Sequence, residues 1–189
     1  MYKEMQKALV FSIVSVLLVS PIAQADENAQ SLGWVEKASI VPWGAVVKAK
    51  LDTGALTSSL QAENIDAFEK NHEEWVRFTV EVEDEASNEV VERRFEKPLF
   101  RDLTVRGAGG KEERAVVLMN ICIGEEIYEE QFSLEDRDDM IYPVLLGRRT
   151  IQSLGPVDVT KTFTRDPGCN EDSPVQKHID KEYDEDIGD

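Results

Sequence analysis

The sequence predicts a mainly β domain with one short helix near its C-terminal end. Apolar stretches in the middle of the chain are short, rich in Val and Ile, and separated by Gly, Asn and charged residues, which is typical of strands and turns. Residues 75–82 alternate apolar and polar side chains with the period of two expected of a half-buried strand. A chain of 189 residues, 41% of them hydrophobic, is sufficient for one compact domain.

The first 25 residues have the pattern of a secretory signal peptide. Lys3 and Lys7 lead into an apolar run over residues 8–19, and Ala23 and Ala25 form a small-residue cleavage site. An uncleaved membrane anchor is the alternative, but the run is shorter than the ~20 residues that a membrane span needs. We therefore expect cleavage after Ala25, a periplasmic or secreted protein of the bacterial envelope, and no stable membrane span after cleavage.

The polar residues 26–33 predict a linker, and the folded domain is expected over residues 34–165. Residues 61–74 are predicted to be irregular with a short helical turn at 67–70, and residues 148–154 predict the helix. Residues 166–189 are rich in Pro, Gly, Asp and Glu and predict an acidic disordered tail. The predicted strands are residues 34–41, 45–51, 75–82, 90–96, 114–123, 127–134 and 142–146.

Charge and cysteine content narrow the range of partners. Acidic residues outnumber basic ones by 38 to 21, which leaves a net charge of −17 and argues against nucleic acid as a partner. Cys122 and Cys169 are the two cysteines of a chain that is expected to reach a compartment permitting disulfides. Their separation in space does not follow from the sequence, so a bridge and two unpaired thiols are both open.

Residues 52–55 read Asp-Thr-Gly-Ala directly after a predicted strand. A carboxylate at the end of a rigid strand is held in place, and Gly54 can turn the backbone and offer its N–H to Asp52. The hydroxyl of Thr53 can hydrogen-bond to a neighbouring copy of the loop, which Ala55 completes. The three residues Asp-Thr-Gly alone also describe an ordinary turn, so the specificity has to come from other segments.

Three further segments follow in order along the chain. A glycine-rich tip lies between two predicted strands and contains Gly107, Gly109 and Gly110, and residues 120–124 read as a strand that ends in glycine. The last segment combines two bulky apolar residues with a glycine and an arginine ahead of the predicted helix: Leu145, Leu146, Gly147 and Arg148.

These four features in this order resemble the retropepsins. Over residues 34–163 the chain is most similar to a bacterial retropepsin-like aspartic peptidase family that is commonly labelled ATP-dependent zinc protease, whose blocks correspond to residues 50–58, 113–117 and 136–148. The resemblance implies a closed β-barrel of the acid-protease type. It also implies that Asp52 is catalytic, that Thr53, Gly54 and Ala55 support it, that residues 145–148 form the second signature, and that the glycine-rich tip is a flap over a polypeptide substrate.

The residues do not support the zinc or ATP part of that label. Zinc hydrolases use three or four ligands among which His is prominent. Here His72 lies in a polar loop and His178 in the expected tail, and both are predicted to be solvated. The chain has no Gly-x-x-x-x-Gly-Lys-Ser/Thr phosphate loop. We therefore expect no metal and no cofactor.

Aspartic peptidases need two carboxylates that share a proton, one to activate water and one to donate to the scissile carbonyl. This chain has one Asp-Thr-Gly, so we expect a homodimer in which each subunit supplies Asp52. A second carboxylate within one chain remains open if the protein is monomeric.

One position departs from the viral retropepsins, which carry an acidic residue where this chain has Leu56. That acidic residue pairs with the arginine of the second signature, so Arg148 is expected either to bind substrate or to pair with another carboxylate. The candidate carboxylates are Asp102, Asp136 and Asp139.

The main functional expectation is a periplasmic aspartic endopeptidase. The alternative is a non-catalytic β-barrel that binds an extended envelope peptide by strand addition, and a third reading is a domain that modifies a peptide-like or glutamate-rich substrate. Asp136, Asp138 and Asp139 also allow a calcium site or a second catalytic site, although a salt-bridge cluster or solvated loop is the favoured interpretation because consecutive residues do not converge on one point.

Overall fold

A computed structural model describes residues 31–107, 110–138 and 140–181. These residues are mainly β, with 58% of them in strands and 7% in helices, as predicted. The strands are β1 Leu32–Gly33, β2 Val35–Val41, β3 Val46–Leu51, β4 Ser58–Gln61, β5 Glu63–Lys70, β6 Glu73–Asp84, β7 Glu89–Pro98, β8 Arg101–Gly107, β9 Gly110–Ile123, β10 Glu126–Glu135, β11 Val144–Leu146, β12 Val157–Asp158 and β13 Val175–Gln176. Helix α1 spans Arg148–Leu154, and a 3-10 turn covers His178–Asp180.

The principal sheet is a closed ring of strands. Its order is β13-β10-β4-β11-β3-β2-β9-β8, and a further pairing of β10 with β9 closes six of these strands into the ring. β11 runs parallel to β3, with Leu146 opposite Leu51, and it is antiparallel to β4. The predicted catalytic strand β3 and the predicted second signature are therefore neighbours in one sheet.

A separate antiparallel sheet contains β5, β6 and β7. Its central strand β6 buries Val76, Phe78 and Val80 against the core, as the alternation predicted, and Phe78 stacks on Phe95 of β7. The helical turn predicted at residues 67–70 is wrong, because these residues belong to β5. β5 is an edge strand with mostly exposed side chains, so its sequence lacks the apolar alternation that identifies a strand.

Both predicted ends of the domain are corrected by the structure. Leu32, expected in the linker, is fully buried, and β1 pairs in parallel with β12. Residues 166–181, expected to be a disordered tail, instead lie along the ring; we call them the C-terminal strap. Their β13 pairs in parallel with β10, and a disulfide joins Cys122 to Cys169.

The strap is attached by side chains that a reading of local composition does not reveal. Glu36 is fully buried in β2, and it accepts hydrogen bonds from the backbone N–H groups of Thr164 and Arg165, just before the strap. At the far end Lys181 forms an ion pair with Glu130, and both side chains are buried. These interactions offset the conformational entropy that is lost when the strap becomes ordered, because a polar segment buries too little apolar surface to do so by itself.

The expected signal peptide lies outside the described residues. Within the ranges described above, no helix combines the length and the apolar character needed to cross a bilayer.

Candidate active site

Asp52 directly follows β3 and is oriented by its neighbours. Its Oδ1 accepts the backbone N–H of Gly54 at 2.9 Å, and its Oδ2 lies 3.0 Å from Nζ of Lys50. Partial burial raises the pKa of the Asp52 carboxyl, but the hydrogen bonds from Lys50 and Gly54 outweigh burial and hold the pKa below its usual range. The side chain keeps 26% of its surface exposed, so an oriented and ionised carboxylate faces solvent.

The residues of the second signature hold the loop through backbone hydrogen bonds. The N–H of Asp52 donates to the carbonyl of Leu146 at 2.8 Å, and the N–H of Arg148 donates to the carbonyl of Ala55 at 2.8 Å. The sequence placed these segments far apart, and the parallel pairing of β11 with β3 brings them together. All eight residues of the two predicted signatures are therefore in one place.

Gly147 is required where the two segments cross. A Cβ on this residue would lie 2.7 Å from the carbonyl oxygen of Leu56 and 2.8 Å from the carbonyl carbon of Thr57. Its N–H donates to the hydroxyl of Ser58, which also hydrogen-bonds to the hydroxyl of Thr150 in α1. The close approach joins the loop to the helix beneath it.

The structure shows a contact of Arg148 that does not need an acidic residue at position 56. Its Nη1 donates to the backbone carbonyl of Thr53 at 2.9 Å, so the guanidinium supports the tip of the catalytic loop. The structure does not test the expected partner Asp139, which lies outside the described residues.

A cavity of about 380 Å³ opens beside the loop. Its lining includes Ala55, Leu56 and Thr57 after the catalytic aspartate and Leu145 of the second signature. Leu103 and Val105 of β8 also line it, so the β8–β9 hairpin borders the same space. At the end of this hairpin Gly107 pairs with Gly110, in the place predicted for a flap, while Gly109 lies outside the described residues.

Two arginines in the cavity wall were not identified from the sequence. Nη2 of Arg114 lies 2.6 Å from Glu135, and Nη1 of Arg137 lies 3.1 Å from the same carboxylate and 2.8 Å from the hydroxyl of Ser59. Nε of Arg114 is buried without a hydrogen-bond partner in the described part of the chain. Nη2 of Arg114 also lies 2.7 Å from Glu112, which is not part of the cavity lining. The lining itself thus has two guanidinium groups and one carboxylate, and one donor is still unsatisfied.

Lys50 was also missed, although a signal for it existed. Lys50 and Asp52 are two residues apart on a strand and its extension, so their side chains emerge on the same face. Arg137 is only two residues from Glu135, but the contacts of Arg114 with Glu135 and of Arg137 with Ser59 join segments farther apart in sequence, and no local pattern indicates those two contacts.

The acidic segment 136–138 does not form a cluster of converging carboxylates. Arg137 points inward and is buried, whereas Asp136 and Asp138 are exposed. Oδ1 of Asp138 accepts a hydrogen bond from the side chain of Gln61 at 2.6 Å. Across the described residues, no three His, Cys, Asp or Glu side chains are grouped as a metal site would require.

The two histidines differ. His72 is 99% exposed, as predicted. His178 is not the solvated residue that was predicted, because its ring packs edge-on against Phe100 at 5.1 Å between centroids and its Nε2 lies 3.1 Å from the side-chain amide of Gln131. The strap places it there.

Comparisons with known proteins agree with the family resemblance of the sequence. Residues 31–168 match the family described as RimB-like, retropepsin-like aspartic endopeptidase RimB. That description names an aspartic endopeptidase, and it does not carry the ATP-dependent zinc protease label.

Curated relatives and a solved structure resemble the same region. A protein of Parasynechococcus marenigrum named "Probable alpha-L-glutamate ligase" is 36% identical over 106 residues, which are 56% of this chain and 22% of that protein. A Shewanella pealeana protein of the same name is 33% identical over 117 residues, 62% of this chain and 25% of that protein. The matched region thus spans about a quarter of the length of these relatives.

A crystal structure of a Legionella pneumophila protein of unknown function has a TM-score of 0.60 and 34% identity, covering 70% of this chain and 95% of that one. The sequence motif, the loop geometry and the match over residues 31–168 lead to the same conclusion. The chain belongs to the RimB-like family of retropepsin-like aspartic endopeptidases.

Proposed function

We propose that the protein is an aspartic endopeptidase that hydrolyses peptide bonds as a homodimer, with Asp52 of each subunit forming the catalytic pair. The observation that carries this proposal is the loop itself. Asp52 is fixed by Lys50 and Gly54 at the surface end of a buried strand, beside a cavity that can take a peptide side chain.

The exposed tip of the loop supports the dimer. Thr53 and Gly54 are exposed, and the hydroxyl of Thr53 has no hydrogen-bond partner among the residues that the structure describes. A two-fold axis beside the tip would give each Thr53 hydroxyl a partner in the other subunit and bring the two Asp52 carboxylates together. Two carboxylates that are brought together in this way repel each other when both are ionised, so the pair would share one proton.

In this arrangement the ionised carboxylate takes a proton from water as the water attacks the scissile carbonyl. The protonated carboxyl of the other subunit donates its proton to the carbonyl oxygen. Lys50 favours the ionised state of its own Asp52, and the N–H of Gly54 keeps Oδ1 in place.

The basic cavity wall favours a substrate with acidic side chains. Arg114 and Arg137 line the cavity and share Glu135, while Arg114 also pairs with Glu112 outside the lining. Nε of Arg114 has no partner within the described residues. An acidic substrate is also consistent with the glutamate ligase name of the relatives that carry this domain. The whole chain carries a net charge of −17, which repels an acidic substrate at longer distances. The two arginines would therefore attract it only at close range.

We place the protein in the periplasm on two grounds. Residues 1–25 have the composition of a signal peptide, and the bridge between Cys122 and Cys169 fits an oxidising compartment. Cell fractionation with an antibody against the strap tests this placement, and recovery of the full-length chain in the cytoplasm would contradict it.

Cleavage of a peptide library between pH 4 and 8 tests the activity. The wild type should cleave peptides with pepstatin-sensitive, chelator-insensitive kinetics, and Asp52→Asn should lose at least roughly 10³-fold in kcat with an unchanged thermal unfolding curve. The mass in solution, measured on both proteins, should be that of a dimer. Peptide binding without cleavage by the wild type would favour the non-catalytic binding domain, and residual cleavage by Asp52→Asn would remove Asp52 from the mechanism.

A further inference from the structure

Most of the C-terminal strap lies beyond the family match. The match ends at residue 168, and residues 169–181 continue beyond it, from the disulfide to Lys181. Within this segment His178 contacts the ring of strands next to the active-site cavity. The family fold therefore forms the cavity, and this chain adds a segment at its side.

A chain of side-chain hydrogen bonds connects the strap to the catalytic loop. Nε2 of His178 lies 3.1 Å from Nε2 of Gln131, Oε1 of Gln131 accepts Nε of Arg101 at 2.8 Å, and Nη2 of Arg101 donates to the hydroxyl of Thr57 at 3.1 Å. Thr57 lines the cavity immediately after the Asp-Thr-Gly-Ala loop.

The direction of each bond is fixed by Arg101, which can only donate. The oxygen of the Gln131 amide must therefore face Arg101, and the amide nitrogen must face His178. Because that nitrogen is a donor, Nε2 of His178 has to be the acceptor, which requires a neutral ring with its proton on Nδ1. A protonated His178 would break the connection.

Arg101 is close to the space that a substrate would occupy. It lies on the same face of β8 as Leu103 and Val105, which line the cavity. Its guanidinium is partly buried and has Arg149 as a cationic neighbour, and burial and Arg149 together lower the pKa of Arg101. No carboxylate within the described residues forms an ion pair with Arg101, so a substrate carboxylate could fill that role.

We propose that Arg101 is a specificity-determining residue that binds a substrate carboxylate beside Thr57, and that His178 of the strap is a positioning residue that orients Arg101 through Gln131. This inference rests on the proposed peptide-binding function of the cavity. It goes beyond that function by assigning substrate selectivity to a segment outside the shared family domain.

The groups around His178 keep it in the required neutral form. Burial lowers the pKa of His178 below its usual 6.5, Lys181 of the strap, Arg149 of α1 and Arg101 of β8 lower it further, and Glu129 of β10 opposes them. The neutral ring therefore predominates at pH 7.5, and the connection weakens as the pH falls through the lowered pKa of His178.

Selective peptide binding tests the proposal without requiring cleavage. Two fluorescein-labelled peptides are compared by anisotropy at pH 7.5 in the Asp52→Asn background: one has Glu at every second position in an Ala sequence, and the other has Gln at those positions. The ratio of their Kd values should fall roughly tenfold in Arg101→Gln and in His178→Ala, which corresponds to one lost charge-assisted hydrogen bond.

Two further variants separate positioning from folding. His178→Gln offers a carbonyl oxygen as an acceptor for Gln131 and should recover part of the selectivity, whereas His72→Asn, at the other and fully exposed histidine, should leave the ratio unchanged. With Asp52 intact, His178→Ala should raise KM for the Glu peptide with little change in kcat. A full Glu preference in His178→Ala would overturn the role of the strap, and a full preference in Arg101→Gln would overturn the subsite.

The two proposals fail separately. If the wild type cleaves neither peptide but the binding ratios change as expected, the endopeptidase proposal is wrong and the role of the strap stands. If cleavage depends on Asp52 and the ratios do not respond to Arg101 or His178, the opposite holds.

Discussion

The catalytic loop and the C-terminal strap are held in place by different kinds of interaction. The loop is fixed mainly by backbone groups, such as the N–H of Asp52 on the carbonyl of Leu146, and by a glycine that permits close approach. The strap is fixed mainly by side chains, through a disulfide and the buried pair of Lys181 with Glu130. The loop lies within the family match, whereas most of the strap lies beyond it. The comparison indicates a reaction centre within the family match, to which side-chain contacts attach a segment that lies mostly beyond that match.

The largest effect is expected where the loop meets the second signature. In Gly147→Ala the new Cβ would meet the backbone of Leu56 and Thr57 at 2.7 and 2.8 Å, and backbone cannot move aside as a flexible side chain can. We expect a loss of about 2–3 kcal/mol in the free energy of unfolding and loss of peptidase activity in the protein that remains folded. Denaturant unfolding and active-site titration measure the two effects.

Gly33→Ala is the matched control, because its Cβ would lie 2.6 Å from the carbonyl oxygen of Lys161, away from the catalytic loop. It should lose comparable stability while the folded protein keeps its kcat. Equal loss of kcat in the two variants would mean that the loop has no special dependence on its local backbone geometry.

The second largest effect on stability is expected at the end of the strap where Lys181 pairs with Glu130. Burial raises the pKa of the Glu130 carboxyl, and Lys181 opposes this rise. Lys181→Met leaves Glu130 buried without its cation, so we expect a loss of about 3 kcal/mol in the free energy of unfolding at pH 7. A group whose folded pKa is raised contributes its stability at low pH and loses it as the pH rises, so the deficit should be smallest near pH 4 and grow towards pH 7.

Thermal unfolding at several pH values checks this expectation. Lys161→Met, which removes the more exposed pair with Asp158, should destabilise the protein much less than Lys181→Met, because solvent screens an exposed ion pair. A deficit in Lys181→Met that does not depend on pH would show that Glu130 is not the group left unpaired. Cleavage of neutral peptides should persist in both variants, since neither touches the loop.

The smallest effect on stability is expected at Lys50, where a substitution should instead change the pH dependence of kcat/KM. Lys50→Met removes the hydrogen bond and the charge that hold the pKa of Asp52 below its usual range. Asp52 will then protonate at higher pH, so the acidic limb of the kcat/KM profile should move upward in pH. Lys48→Met, on the same strand but paired with Glu85, is the control and should leave the profile in place. An unmoved limb in Lys50→Met would contradict the role of Lys50.

Much of the secondary structure could be predicted because its signals are local. The strand predicted at residues 75–82 lies within β6, and the helix predicted at 148–154 is α1. The loop motif and the second signature were also readable as short sequences. β5 was missed because an exposed edge strand has no apolar alternation, and the strap was missed because its polar composition alone predicts disorder.

Most of the cavity wall could not be predicted. Arg114 reaches Glu135, Arg137 reaches Ser59 and Arg101 reaches Thr57 through contacts between segments that are distant in sequence, whereas the pairing of Arg137 with Glu135 is local. Such contacts depend on strand order and register, which in this fold include the parallel pairing of β4 with β10. A residue pattern within one segment carries no information about the strand that will lie beside it.

The sequence by itself determined that Asp52 lies at the end of a strand in an Asp-Thr-Gly-Ala loop, because a strand followed by a carboxylate and a glycine is a local pattern with a local physical cause. Only the tertiary structure decided that Leu146 and Gly147 pack against this loop, that arginines line the cavity beside it, and that His178 is connected to it by hydrogen bonds. Those outcomes depend on which distant segments the closed ring brings into contact, and burial and hydrogen bonding select them only when the chain is folded.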